Sequence, residues 1–85
     1  MRKVAIVTGG NRGIGLAIIR NMVRDGYVAC TIGTSDESVC KPAFDEMRAQ
    51  GGELFYFRGS IASDADRRAF VEEVVKRYGR VDVLV

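Results

Sequence analysis

The chain has 85 residues, 47% of them hydrophobic and 28% charged, with a formal net charge of +2 and no histidine. This is the balance of a water-soluble globular domain, with too little and too scattered basic charge for a nucleic-acid or membrane surface. The two cysteines, Cys30 and Cys40, offer no metal-ligand spacing and no disulfide framework, so no metal is expected and a reducing cytoplasm is favoured.

The first predicted element is a strand over residues 3–8, whose run Val4-Ala5-Ile6-Val7 suits burial on both faces. That run is shorter than the ~7–15 residues of a signal-peptide core, and no stretch approaches the ~20 apolar residues of a membrane span. A glycine-rich turn leads into a helix over about 13–25, with Ile14, Ala17, Ile18, Met22 and Val23 at helical spacing and Gly26 ending it. A second apolar strand spans 27–32, with Cys30 as a small core residue, and a loop follows over 33–36. The next helix is expected over 38–50, with Pro42 in its first turn, Phe44 and Met47 as its apolar stripe, and Gly51-Gly52 as its stop.

Strand three is expected over 53–58, and a loop over 59–63 leads to a helix over 64–78 with Ser63 as N-cap. Phe70, Val71, Val74, Val75 and Tyr78 form its apolar face, while Arg67, Arg68, Glu72, Glu73, Lys76 and Arg77 form a solvated one. Gly79 ends that helix, and residues 81–85 read as a fourth strand. Strands alternating with helices imply right-handed crossovers and a parallel sheet. The expected fold is therefore an α/β, Rossmann-type doubly wound sheet of βαβαβαβ order. Residues 1–85 would form the N-terminal part of one dinucleotide-binding domain, incomplete at its C-terminus. The fourth strand should lie beside the first, with a fifth strand beyond it. Without that neighbour the apolar edge would be exposed and the isolated chain insoluble or molten.

The turn at the first crossover carries the chemistry. Strand, glycine turn and helix together present unpaired backbone N–H groups and the positive end of the helix dipole to a phosphate. Gly9 allows the tight turn, Gly13 keeps a side chain away from the ligand, and Gly15 lets helix and strand approach. The spacing is G-x-x-x-G-x-G; Ile18 occupies the place where G-x-G-x-x-G would need its third glycine. A phosphate-binding loop of the P-loop kind would need G-K-[ST], and Gly13-Ile14-Gly15 does not supply it.

With Thr8 in front, Thr8-Gly9-Gly10-Asn11-Arg12-Gly13-Ile14-Gly15 resembles the T-G-x-x-x-G-x-G turn of the short-chain dehydrogenase/reductase family. Gly79-Arg80-Val81-Asp82-Val83-Leu84-Val85 resembles the family's stretch before an Asn-Asn-Ala-Gly turn. The resemblance covers the whole chain but about the first third of a complete member, and is nearest to the 3-oxoacyl-(acyl-carrier-protein) reductase type of fatty acid biosynthesis. It implies that Gly9, Gly10, Asn11, Arg12, Gly13, Ile14 and Gly15 cradle a cofactor's diphosphate. Gly33 stands where NAD-dependent members carry an acid, and Thr34 and Ser35 can donate to a phosphate. Arg12 resembles the basic residue of NADP-preferring members, so NADP(H) is the expected cofactor and NAD(H) the alternative; Asp36 and Glu37, one turn further on, weigh against it. Ser60 and Ile61 resemble the adenine-holding segment, with Ser60 where an Asp is usual.

The family's catalytic Ser, Tyr and Lys fall beyond Val85, so no catalytic residue is assigned here. Tyr27, Tyr56 and Tyr78 read as packing residues, and none has a lysine four positions on. The resemblance implies a cytoplasmic oxidoreductase acting on a small-molecule or acyl-carrier-bound carbonyl, dimeric or tetrameric when complete. The 85-residue chain alone would be inactive. The alternative is a non-catalytic NADP-binding sensor or scaffold.

Overall fold

A computed structural model describes residues 2–9 and 13–85. Four strands, β1 (Val4–Thr8), β2 (Val28–Gly33), β3 (Glu53–Arg58) and β4 (Val83–Leu84), form one parallel sheet in the order β3-β2-β1-β4. The crossovers carry helices α1 (Gly13–Arg24), α2 (Lys41–Ala49) and α3 (Asp64–Tyr78). The expected α/β doubly wound architecture is observed, with β4 beside β1.

Strand alternation sorts the core into two layers. On one face Val7, Ala29, Leu54 and Tyr56 pack with Ile19 of α1 and with Phe44 and Met47 of α2. On the other, Val4, Ile6, Val28, Cys30 and Ile32 pack with Phe70 and Val74 of α3. Because both faces are covered, β1 and β2 need unbroken apolar sequence. β3 and α3 have the expected bounds. Ser63 Oγ accepts from the Asp66 N–H at 3.2 Å, and Gly79 closes the helix at φ 77° with its N–H on the Val75 carbonyl.

Four expectations need correction. The helix expected over 38–50 is a 3-10 turn (Glu37–Val39) followed by α2. The Pro42 ring would clash with the Ser38 carbonyl in a continuous helix, and the Asp36 carboxylate starts the turn by accepting from the Ser38 N–H at 3.0 Å. Cys40, at the junction, is buried in the α1–α2 layer. The buried residue of α1 is Ile19, while Ile14 is 82% exposed. On α3, Val71 and Val75 face out, because Phe70 and Val74 meet the sheet. Nor is the charged face of that helix wholly solvated: the Arg77 guanidinium lies 4.2 Å from the Phe55 ring centre, a cation–π contact.

β4 is short, yet the ladder continues on either side of it. The Asp82 N–H donates to the Val4 carbonyl and the Val85 N–H to the Ile6 carbonyl, both at 2.8 Å. The Asp82 carboxylate accepts from the Val4 N–H at 2.8 Å and from Arg80, which holds it below the usual carboxylate range. Leu84 is exposed at this edge, and Ile6, Phe70, Val71, Val81 and Leu84 line an apolar depression of about 450 Å³ beside it.

Burial, with a smaller push from Glu53, raises the Cys30 thiol to about 12. Burial, followed by Cys30 and Glu53, likewise raises Tyr78 to about 12. Both groups fold in their neutral form, so their contribution is full below the ordinary values of 9.0 and 10.0 and is lost as pH rises toward 12. We predict a melting temperature that is level from about pH 6 to about pH 9 and falls above it, with a shallower fall in a Cys30→Ala, Tyr78→Phe double variant; an unchanged alkaline slope would contradict this. Thiol titration of the native protein should label neither Cys30 nor Cys40, both of which are buried.

Candidate functional site

The chain reverses its direction of winding between β1 and β4, and the carboxyl ends of β1, β2 and β3 open on one side. In open α/β sheets the ligand crevice lies there. A cleft of about 220 Å³ occupies this position, lined by Gly9 after β1, residues 32–35 at the end of β2 and residues 59–61 after β3. Five of the residues singled out in the sequence, Gly9, Thr34, Ser35, Ser60 and Ile61, thus meet in one cleft. Gly13, Ile14 and Gly15 form the first turn of α1, which contains no acid to offset the helix dipole. Gly10, Asn11 and Arg12 lie outside the described residues.

Two glycines reveal what the first crossover demands. Gly9 has φ +67° and Gly13 φ +60°, values that L side chains rarely adopt. Chain neighbours apart, a Cβ built on either would meet no atom of the described residues within 4 Å. Among the described residues, packing therefore does not require glycine at these positions; backbone conformation does. Such a cradle fits a group that lies flat against backbone amides, as the diphosphate of a dinucleotide does. Thr8, the motif's threonine, donates its hydroxyl to the Val85 carbonyl at 3.2 Å and so ties β1 to the end of β4.

The second loop is held from beneath. Tyr56, read from the sequence as packing alone, also donates its hydroxyl to the Ser35 carbonyl at 2.6 Å. Among the described residues, the cleft lining includes no carboxylate. Of the two acids that follow, Asp36 accepts from the Ser38 N–H and lies 3.4 Å from Arg58, contacts that lower its carboxyl below the usual range. Glu37 lies 3.7 Å from Arg48. Arg58 stands opposite Gly33 in the parallel register and donates from Nε to the Thr34 carbonyl at 3.3 Å. The sequence places this arginine at the head of the segment Arg58-Gly59-Ser60-Ile61 that resembles the adenine-holding one, without assigning it a contact; the signal for its contacts with the second loop is the alignment of two six-residue strands that end together.

Asp66 organises the third loop. Its Oδ2 accepts from the Ser60 N–H at 2.7 Å, while Ser60 Oγ accepts from the Ala62 N–H at 3.2 Å. Ser60 can therefore still donate its hydroxyl proton to a ligand. Gly59 permits this closeness, since a Cβ there would lie 3.2 Å from Asp66 Oδ2 and 3.0 Å from Phe57 Cε1. Asp66→Ala strands the Ser60 N–H and is expected to cost about 1–3 kcal/mol in a denaturant titration. A loss below a few tenths would contradict this account of the loop.

A 3-2-1-4 parallel sheet, layered with helices on both faces and opening on a glycine cradle at its first crossover, defines a Rossmann-type nucleotide-binding fold. Residues 3–85 match the family model of the short chain dehydrogenases. The chain belongs to the short-chain dehydrogenase/reductase family. It is 33% identical over its whole length to 3-oxoacyl-(acyl-carrier-protein) reductase FabG of Staphylococcus epidermidis, and covers 35% of that protein. The chain thus spans about a third of the length of such curated relatives. The structure of a 3-oxoacyl-(acyl-carrier-protein) reductase from Brucella melitensis in complex with NAD superposes with a TM-score of 0.84 at 36% identity, over 99% of this chain and 32% of that one. An alcohol dehydrogenase from the archaeon Thermococcus sibiricus, complexed with 5-hydroxy-NADP, superposes at 0.86 and 38% identity, over 99% and 36%. Among the described residues no helix is long and apolar enough to cross a membrane, and no group of three or more metal-ligating side chains occurs.

Proposed function

We propose that this chain is the cofactor-binding part of an NADP(H)-dependent short-chain reductase. The observation that carries the reading is the cleft at the end of β2. Its edge is Gly33, its lining among the described residues holds no carboxylate, and the acids that follow are engaged by Arg58 and Arg48. An acid placed to accept from the ribose diol favours NAD; here Asp36 is occupied by the Ser38 N–H, and the arginines beside the two acids bring positive charge that suits a 2′-phosphate. Solved relatives hold either cofactor, NAD in the Brucella melitensis reductase and an NADP derivative in the Thermococcus sibiricus dehydrogenase, so the choice rests on the cleft.

In this reading the backbone amides of residues 9–15, including those of Gly10, Asn11 and Arg12, hold the diphosphate. Thr34 and Ser35 donate to the adenosine phosphate, and Ser60 and Ile61 address the adenine. Bound NADPH supplies the hydride for reduction of a carbonyl. This chain's residues bind and orient the adenosine half, and the proton-transferring groups are assigned to sequence outside it. The similarity to FabG supports a 3-oxoacyl thioester as the substrate class; the working form we propose is a cytoplasmic dimer or tetramer. Fluorescence titration of the intact protein with both reduced cofactors tests the proposal. NADPH is expected to bind more tightly than NADH; the reverse order would overturn the choice. Turnover of a 3-oxoacyl thioester separates a reductase from a sensor that binds without reaction.

A further inference from the structure

We propose that Arg58 selects the phosphorylated cofactor by exchanging its ion pair with Asp36 for one with the 2′-phosphate. The inference rests on the cofactor reading above and adds a residue from a third strand to it. Arg58 ends β3 directly across from Gly33, the residue at which β2 enters the cleft. From there the guanidinium reaches the loop beyond Gly33. Nε donates to the Thr34 carbonyl at 3.3 Å and Nη1 lies 3.4 Å from Asp36 Oδ2. The cation is thereby placed beside Thr34 and Ser35, which line the cleft.

Its present partner suits exchange. Both side chains are about two-thirds exposed (64% and 63%), and an exposed pair of this kind holds weakly. A phosphate monoester carries nearly twice the charge of a carboxylate and offers three acceptor oxygens to the guanidinium fork. Asp36 loses little on release, because it keeps the Ser38 N–H that caps the 3-10 turn. The carboxylate then serves as an internal anion that orders the arginine while no phosphate is bound. NADH, lacking the phosphate, cannot displace it.

Calorimetric titration of the intact protein with NADPH and NADH tests this, repeated with 2′,5′-ADP against 5′-ADP to read the phosphate apart from the nicotinamide. Arg58→Gln is expected to lower affinity for the phosphorylated ligand of each pair about tenfold relative to its partner. Asp36→Asn keeps an acceptor for Ser38 and frees the arginine, so it should raise NADPH affinity a few-fold. An Arg58→Gln protein with the wild-type preference, folded by circular dichroism, would overturn the proposal. So would an Asp36→Asn protein that loses NADH affinity alone, since Asp36 would then hold the ribose diol. Binding of neither dinucleotide by the wild type would instead overturn the cofactor reading itself, and the proposal with it.

Discussion

Replacing Gly13 with valine is expected to lower dinucleotide affinity by on the order of a hundredfold, or about 2.8 kcal/mol of binding free energy. Two effects combine. At φ +60° a β-branched residue is strained, which costs the fold about 1–2 kcal/mol. The added side chain also occupies the space beside the main chain where, in the proposed function, the diphosphate lies against the amides. Gly79→Val separates the two. Gly79 has φ +77°, also with no protein atom within 4 Å of a built Cβ, but it closes α3 away from the cleft. It should show a comparable loss in thermal stability with unchanged affinity. Equal losses of affinity in the two variants would show that strain, not access, explains the glycine.

Phe44→Ala is expected to destabilise the intact protein by about 3–5 kcal/mol in denaturant unfolding. Phe44 is fully buried at the centre of the α2 layer, edge-on to Tyr56 with ring centres 6.2 Å apart. A domain stable by about 5–15 kcal/mol would lose a large share of its margin. The effect reaches the cleft, because Tyr56 is the residue that holds the Ser35 carbonyl. Cofactor affinity should therefore fall with stability and recover in part in a Phe44→Leu variant, which retains most of the volume. A loss under about 1 kcal/mol would contradict the assigned packing.

Much of this architecture could be read from residue order, because local chemistry and tertiary packing agree. Glu53–Arg58 alternates two layers of large apolar residues, and Ser63 with Gly79 marks both ends of α3. Where several apolar residues adjoin, periodicity left the rotation of a helix open. Leu16-Ala17-Ile18-Ile19 can turn either of two stripes inward, and Ile19 is the residue that is buried. Val71 adjoins Phe70 in the same way, and the larger ring takes the sheet-facing position.

The three loops of the cleft were legible because each follows a strand. The contacts that shape them were not, since they cross between elements far apart in sequence. Tyr56 reaches Ser35, Arg58 reaches Thr34 and Asp36, and Asp66 holds Ser60. Only the parallel register of β2 and β3 brings the first two pairs together.

A crystal structure of the intact protein grown with saturating NADPH tests the central claim most directly. The diphosphate oxygens should lie within hydrogen-bonding distance of the backbone amides of residues 9–15, with the adenosine in the cleft bounded by residues 32–35 and 59–61. A diphosphate bound elsewhere, or an empty cradle at saturation, would contradict it.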